Sequence, residues 1–264
     1  MVSADWRAFA DELVRWQDSG RVVEFWWRDD DACRSDPALE RLCVLALRTG
    51  VPLALAAVPE LAEPSAFEGL PAGAVVLQHG VDHRNRAAAT EKKTEFSADE
   101  PVYAAVERLL AGRAKLENVA PGRVLPVLVP PWNRLSPHLV PRLAAAGYRG
   151  LSTYGVRNIT NLPFGLTQVN THVDIIDWKG TRGFCGAQRA LGQAVSVLAA
   201  RRAGEAGAKE PIGWLTHHAV HDAAAWDFLE SLFDATRGVP GICWRSPGSL
   251  FNGDFSIDGN LPPA

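Results

Sequence analysis

Two histidines stand four residues apart in VVLQHGVDHRNR (75–86), His79 and His83, directly after an apolar run. Imidazoles at that spacing can turn to one side and share a metal ion. Carboxylates that could complete such a site occur at comparable places elsewhere. RDDDA (28–32) brings Asp29, Asp30 and Asp31 after the apolar RVVEFWW (21–27), and HVDIIDW (172–178) carries Asp174 and Asp177. IGWLT is followed by HHAVHD (217–222), with His217, His218, His221 and Asp222. One or more carboxylates with two imidazoles form a ligand set for zinc or a similar divalent ion. Three protein ligands leave positions open for water and substrate, as catalytic sites require.

Taken singly, each segment has an ordinary explanation. An acidic triplet caps helices, an HxxxH pair decorates surfaces, a histidine at a strand end sits satisfied in a core, and paired prolines before Trp132 make a rigid corner. Their shared position speaks for a site: each falls at the same end of a different strand-like run.

Those runs alternate with helix-like ones along the whole chain. Strand-like stretches are read at 21–27, 51–59, 73–78, 123–130, 166–176, 212–217 and 241–245. Helix-like stretches are read at 3–18, 35–50, 97–117, 136–147, 187–204 and 222–238. Asp36, Pro37 and Gly50 supply the N-cap, first-turn proline and C-terminal glycine of the second helix. Ser3 is read as the N-cap of the first helix. Ser97 and Glu100 have capping-box spacing, with Pro101 shifting the start. Such alternation predicts an α/β fold, a parallel sheet with crossover helices, either open or closed into a barrel. In both, the C-terminal strand ends gather at one face and carry the site. One domain over 1–264 is expected, with a core of about 21–250.

The chain has 264 residues, 47% of them hydrophobic, and a formal net charge of -3. No basic excess is present to bind a nucleic acid backbone, and no apolar run reaches the roughly 20 residues that span a membrane. The acidic N-terminal helix is not a secretory signal, so a cytoplasmic location is expected. Cys33, Cys43, Cys185 and Cys243 form no CxxC pair and are read as reduced thiols.

The ordered set of motifs resembles the polysaccharide deacetylases, the NodB-homology group that includes chitin and peptidoglycan deacetylases. WRDDD (27–31) matches TFDDG, HGVDH (79–83) matches H-S/T-x-x-H, and VPPWN (129–133) stands for R-x-P-Y/W. DIIDW (174–178) matches D-x-x-D-W and LTH (215–217) matches L-x-H. The resemblance implies a distorted (β/α) barrel and metal-dependent removal of an acetyl group from an N-acetylated sugar or related amide. Zinc is the expected metal, with cobalt, nickel or iron as alternatives, held by Asp30, His79 and His83. It implies Asp29 as general base, His217 as general acid oriented by Asp177, and the Trp132 backbone N–H at the oxyanion. Trp178, Pro131, His218 and Asp31 would contact the small-molecule or saccharide substrate.

Four departures stand out. Asp31 replaces the family glycine, which also allows Asp30 as base with Asp31 as ligand. The Asp29–Asp30 register is preferred because Pro37 then has the usual spacing to the motif. Val129 replaces the arginine that pairs with the base, and Arg28 or Arg134 could substitute. His172, His218, His221 and Asp222 add polar groups that could read the substrate. A cytoplasmic enzyme would act on a small or soluble substrate, with the charged loop 84–96 shaping its pocket. The competing readings are an inactive carbohydrate-binding protein on the same scaffold, and a hydrolase of a cyclic imide or other non-sugar amide.

Overall fold

The computed structural model describes residues 3–157, 162–205 and 210–251. Nine strands form one sheet: β1 (Val23–Ala32), β2 (Leu53–Ala57), β3 (Val75–His79), β4 (Val124–Val129), β5 (Gly150–Leu151), β6 (Thr167–Gln168), β7 (Val173–Asp174), β8 (Ile212–Thr216) and β9 (Ile242–Trp244). The order is β6-β5-β4-β3-β2-β1-β8-β7, with β9 also on β1, and every paired strand runs parallel. The helices are α1 (Ala4–Asp18), α2 (Pro37–Thr49), α3 (Val102–Val119), α4 (Val140–Leu143), α5 (Ala187–Arg202), α6 (Ala223–Thr236) and α7 (Pro247–Phe251). The Asp36 carboxylate caps α2 by accepting from the Ala38 and Leu39 amides. Ser3 makes no side-chain cap on α1, and α3 begins at Val102, after Pro101.

The sheet closes through one irregular segment. Val169 N–H and Thr171 N–H donate to Leu151 and Thr153 carbonyls on the β5 side. His172 N–H and Ile175 N–H then donate to Gly213 and Leu215 carbonyls in β8. Six or seven residues thus switch partners and join the two edges, which makes a distorted barrel. Among the described residues no helix is long and apolar enough to cross a membrane, and Cys33, Cys43, Cys185 and Cys243 are free thiols.

The period of two along each strand sorts side chains to the two faces. In β1, Phe25 and Trp27 pack outward in the cluster shared with Leu42 of α2 and Phe233 of α6, whereas Trp26 joins the inner cluster of Ala54, Ala56, Leu77, Val127, Val129 and Phe251. Small alanines in β2 leave room for the Trp26 indole. Gly213 of β8 does the same from the other side. A Cβ there would meet Thr171 Cα at 2.6 Å and Asn170 O at 2.7 Å, both backbone atoms of the closing segment. Gly213→Ala is therefore expected to destabilise the protein by about 1–3 kcal/mol in urea denaturation. An unchanged midpoint would contradict this closure.

Candidate active site

β1 continues through the acidic triplet, so the three aspartates lie within the strand and alternate. Asp29 faces outward with Trp27. Its carboxylate accepts from Thr216 Oγ1 at 2.6 Å, from the His218 N–H at 3.0 Å and from His218 Nδ1. Asp30 faces inward with Arg28, two residues back on the same face. Arg28 Nε and Nη2 donate to its two oxygens at 2.8 and 3.0 Å. Arg28 is fully buried, and its remaining donors reach Ser152 Oγ at 2.6 Å and Asn133 Oδ1 at 3.0 Å. At Asp31 the pairing with β2 slips and φ is 71°. This bulge turns a third carboxylate toward the strand ends instead of letting it alternate outward.

Asp31 there meets both histidines. Its Oδ1 lies 3.2 Å from His79 Nε2 and 3.4 Å from His83 Nε2. A tetrahedral zinc site with bonds of roughly 2.0–2.2 Å has ligand-to-ligand edges of about 3.3–3.6 Å, so these three residues fit a divalent ion. The chemistry of the donors agrees. His79 Nδ1 donates to the Val129 carbonyl at 3.0 Å, which aims Nε2 at Asp31. Burial opposes ionisation of Asp31, but the His79 hydrogen bond and charge outweigh it and hold the carboxyl well below its ordinary value. Burial and the neighbouring His79 charge push His83 down, toward the neutral imidazole that binds metals.

The turn that presents His83 is braced from below. Glu95, completely buried, accepts the Val81, Asp82 and His83 amides at 2.9, 3.2 and 3.2 Å, and Arg108 approaches at 3.3 Å. Gly80 has φ 60°, and a Cβ on it would strike the Glu95 carboxylate and stand 2.6 Å from Pro131 Cδ. Only glycine fits this turn.

His217 leaves the inner face of β8 and lines the same pocket, beside Asp174, Trp178, Trp132, Asn133, Arg134, Tyr154 and Arg182. The pocket holds about 550 Å³. Trp178 packs edge-on against His217 with ring centroids 4.6 Å apart, and its Nε1 donates to Asp174 Oδ2 at 2.8 Å. Burial pushes the Asp174 carboxyl up, against the pull of His217. His217 Nδ1 is buried and has no partner among the described residues. The Trp132 ring flanks His83, centroids 4.6 Å apart. Asp31, His83, Trp132, Asn133 and Arg182 have φ between 54° and 71°, and all five line this pocket. They are the non-glycine residues with positive φ among those described. Non-glycine residues held in this region cluster at active sites and ligand clamps.

Several expected roles need correction. Asp30 shares the pocket with the histidines and its charge acts on both, but Arg28 holds its oxygens; Asp31 is the carboxylate whose Oδ1 lies within 3.2 and 3.4 Å of their Nε2 atoms. Asp29 cannot act as base from the outer face, where Thr216 and His218 enclose it. His218 is correspondingly buried against Asp29 and does not line this pocket. Asp177 pairs with Arg189 at 3.1 Å, and it is Asp174 that stands near His217. Pro131 packs under Gly80 rather than in the pocket. His172 joins a separate buried cluster with Arg201 and Glu210. Arg28, one of the two arginines named for the place left by Val129, pairs with Asp30. The signal was an Arg-x-Asp pair on one strand face, visible once β1 is extended. Glu95 had no sequence signal beyond its place in the loop 84–96.

No protein-family model matches the chain, and no curated protein matches its sequence. Solved structures do match. A protein from Mycobacterium smegmatis described as a polysaccharide deacetylase superposes with a TM-score of 0.61 at 15% identity, covering 88% of this chain and 90% of its own. The peptidoglycan deacetylase PdaC from Bacillus subtilis gives 0.51 at 14% identity, covering 87% and 90%. A CE4 family pseudoenzyme from Bacillus anthracis gives 0.50 at 13% identity, covering 81% and 60%. The chain has the polysaccharide deacetylase fold, the distorted (β/α) barrel expected from its motifs.

Proposed function

We propose that this protein is a divalent-metal-dependent hydrolase that removes an acetyl group from an N-acetylated sugar or a related amide. The observation that carries this reading is one pocket holding an Asp31–His79–His83 cluster, the Arg28-clamped Asp30 and His217. Fold alone would not suffice, since the same barrel occurs in a pseudoenzyme.

Asp31, His79 and His83 would hold the ion, with zinc as the first candidate. A cation bound there supplies Lewis acidity, polarising the acyl carbonyl and making water acidic enough to attack at neutral pH. Asp30 is the base that takes the proton from the attacking water, and Arg28 fixes both its oxygens so that it keeps one orientation. His217, on the opposite strand end, gives a proton to the departing amine. The Trp178 ring fixes its imidazole plane, and Asp174 lies close enough to support its positive charge. Trp132 and Trp178 wall the pocket with apolar faces suited to a sugar ring or the acyl methyl. The substrate is a small molecule or saccharide.

The test is acetate release from a panel of N-acetylated amino sugars and simple acetamides, with zinc-loaded and chelator-treated protein. Acetate from at least one substrate, lost on chelation and restored by zinc or cobalt, is expected. Saccharide binding with no release under any metal would instead favour an inactive binding protein. Release of product from a cyclic imide but not from acetamides would move the substrate to that class.

A further inference from the structure

The pocket does not end at the candidate site. A second cavity of about 790 Å³ adjoins it, and Asn133, Arg134 and Tyr154 line both. An acetyl group occupies a small part of that space, so the rest of the substrate must lie along this extension. Its walls carry cations that make no ion pair among the described residues. Arg134 and Arg182 line the first cavity and Lys92 the second, and Lys93 Nζ stands 5.9 Å from the Trp132 ring centre. None of these four pairs with a carboxylate among the described residues, in a chain whose formal net charge is -3.

The acidic groups of the same walls are already engaged. Asp30 is clamped by Arg28, Asp31 faces the histidines, Asp174 accepts from Trp178 and Glu91 accepts from the Ala88 amide. The cations are also held in place. Arg134 Nη1 donates to the Lys93 carbonyl at 3.2 Å, and Thr94 Oγ1 donates to the Arg134 carbonyl at 3.0 Å, which ties the loop 91–94 to the rim. Arg182 sits in a turn closed by its own N–H donating to the Asp177 carbonyl at 3.0 Å, with φ 60°. Cations without a carboxylate partner attract anionic ligands, and a guanidinium matches the oxygens of carboxylate or phosphate.

We infer that the substrate of this site carries an anionic group, a carboxylate or a phosphate, which Arg134 and Arg182 bind with help from Lys92 and Lys93. The inference rests on the hydrolase reading for the acyl group and adds the charge of the remainder. It separates this pocket from one built for a neutral polysaccharide.

The experiment is calorimetric binding to zinc-loaded protein of three probes: N-acetylglucosamine, its 6-phosphate, and N-acetylglucosaminuronic acid. Wild type, R134Q/R182Q and K92Q/K93Q are compared at low and high salt. Wild type is expected to bind one anionic probe at least about tenfold more tightly than the neutral sugar, with the preference falling as salt rises. The more strongly preferred anion tells phosphate from carboxylate. R134Q/R182Q should bring the ratio close to one and K92Q/K93Q should lower it in part; the lysine pair still tests the idea if the arginine variant does not fold. Equal or tighter binding of the neutral sugar, or a preference unmoved in both variants, would overturn the inference and leave the hydrolase reading standing. A preserved anion preference with no acetate released from any probe would overturn the hydrolase reading instead.

Discussion

Asp30→Asn breaks the buried pair with Arg28 and is expected to cost about 3–5 kcal/mol of stability, while its folded fraction binds metal and loses about a hundred- to ten-thousandfold in kcat, the usual contribution of a positioned base. The amide retains the shape of the carboxylate and still accepts one Arg28 donor, and Ser152 and Asn133 hold the rest of the guanidinium. What disappears is the ability to take a proton. Asp29→Asn should differ in kcat, not in stability. Its carboxylate is enclosed between β1 and the turn after β8, so losing its charge leaves a buried His218 without its partner. Breaking such a pair costs about 3–5 kcal/mol, while kcat of the folded fraction stays within a few fold. Denaturation and steady-state kinetics on both variants separate the two roles; a D29N enzyme that is stable but dead would restore the outer aspartate as base.

The same pair gives stability a pH signature. Burial disfavours charge on His218, but the Asp29 charge and hydrogen bond overcome it and raise its pKa. Burial likewise opposes Asp29, and the His218 charge lowers it. A raised histidine stabilises the fold fully below its unfolded pKa of about 6.5, and that contribution is lost as pH rises through the folded value. A lowered aspartate stabilises above about 3.9 and loses its contribution as pH falls through the folded value. The pair is therefore strongest between about pH 3.9 and 6.5, and His218→Gln should flatten the alkaline decline.

Asp31→Asn is the second large effect. It should lower zinc affinity by at least about a hundredfold, as His83→Ala should, because a neutral amide is a poor substitute for an anionic ligand of a three-ligand site. Elemental analysis is expected to find about one zinc per chain in wild type and in D30N, and little in D31N. Activity should follow the metal. Retention of zinc by D31N with loss in D30N would place Asp30 in the ligand set and return the register to the first two aspartates.

The parallel α/β sheet was legible because its signals are local and repeated, whereas its closure into a barrel followed only from the family resemblance. The apolar runs of β1, β2, β3, β4 and β8 and the capped helix α2 announce themselves by period and by cap residues, whereas Asp222, read as a substrate contact, caps α6 through the Ala225 amide. The gathering of His79, Trp132, Asp174 and His217 at one face follows from parallel topology alone. The register of the aspartates was not legible. It depends on β1 running five residues past its apolar part and on a bulge at Asp31, and both are set by pairing with β2 and β8 rather than by residue type. Asp174 and Asp177 are equally spaced candidates in DIIDW, and only the turn that sends Asp177 to Arg189 decides between them. Glu95 braces His83 from a loop with no regular pattern. Sequence period sorts faces but does not reveal which strand carries an extra residue.

The most direct measurement is anomalous diffraction at the zinc edge from crystals of the zinc-loaded protein. A single strong peak about 2.0–2.2 Å from Asp31 Oδ1, His79 Nε2 and His83 Nε2, with the Asp30 carboxylate still on Arg28, is the predicted result. A peak coordinated by Asp30 or Asp29, or no peak in this pocket, would contradict it.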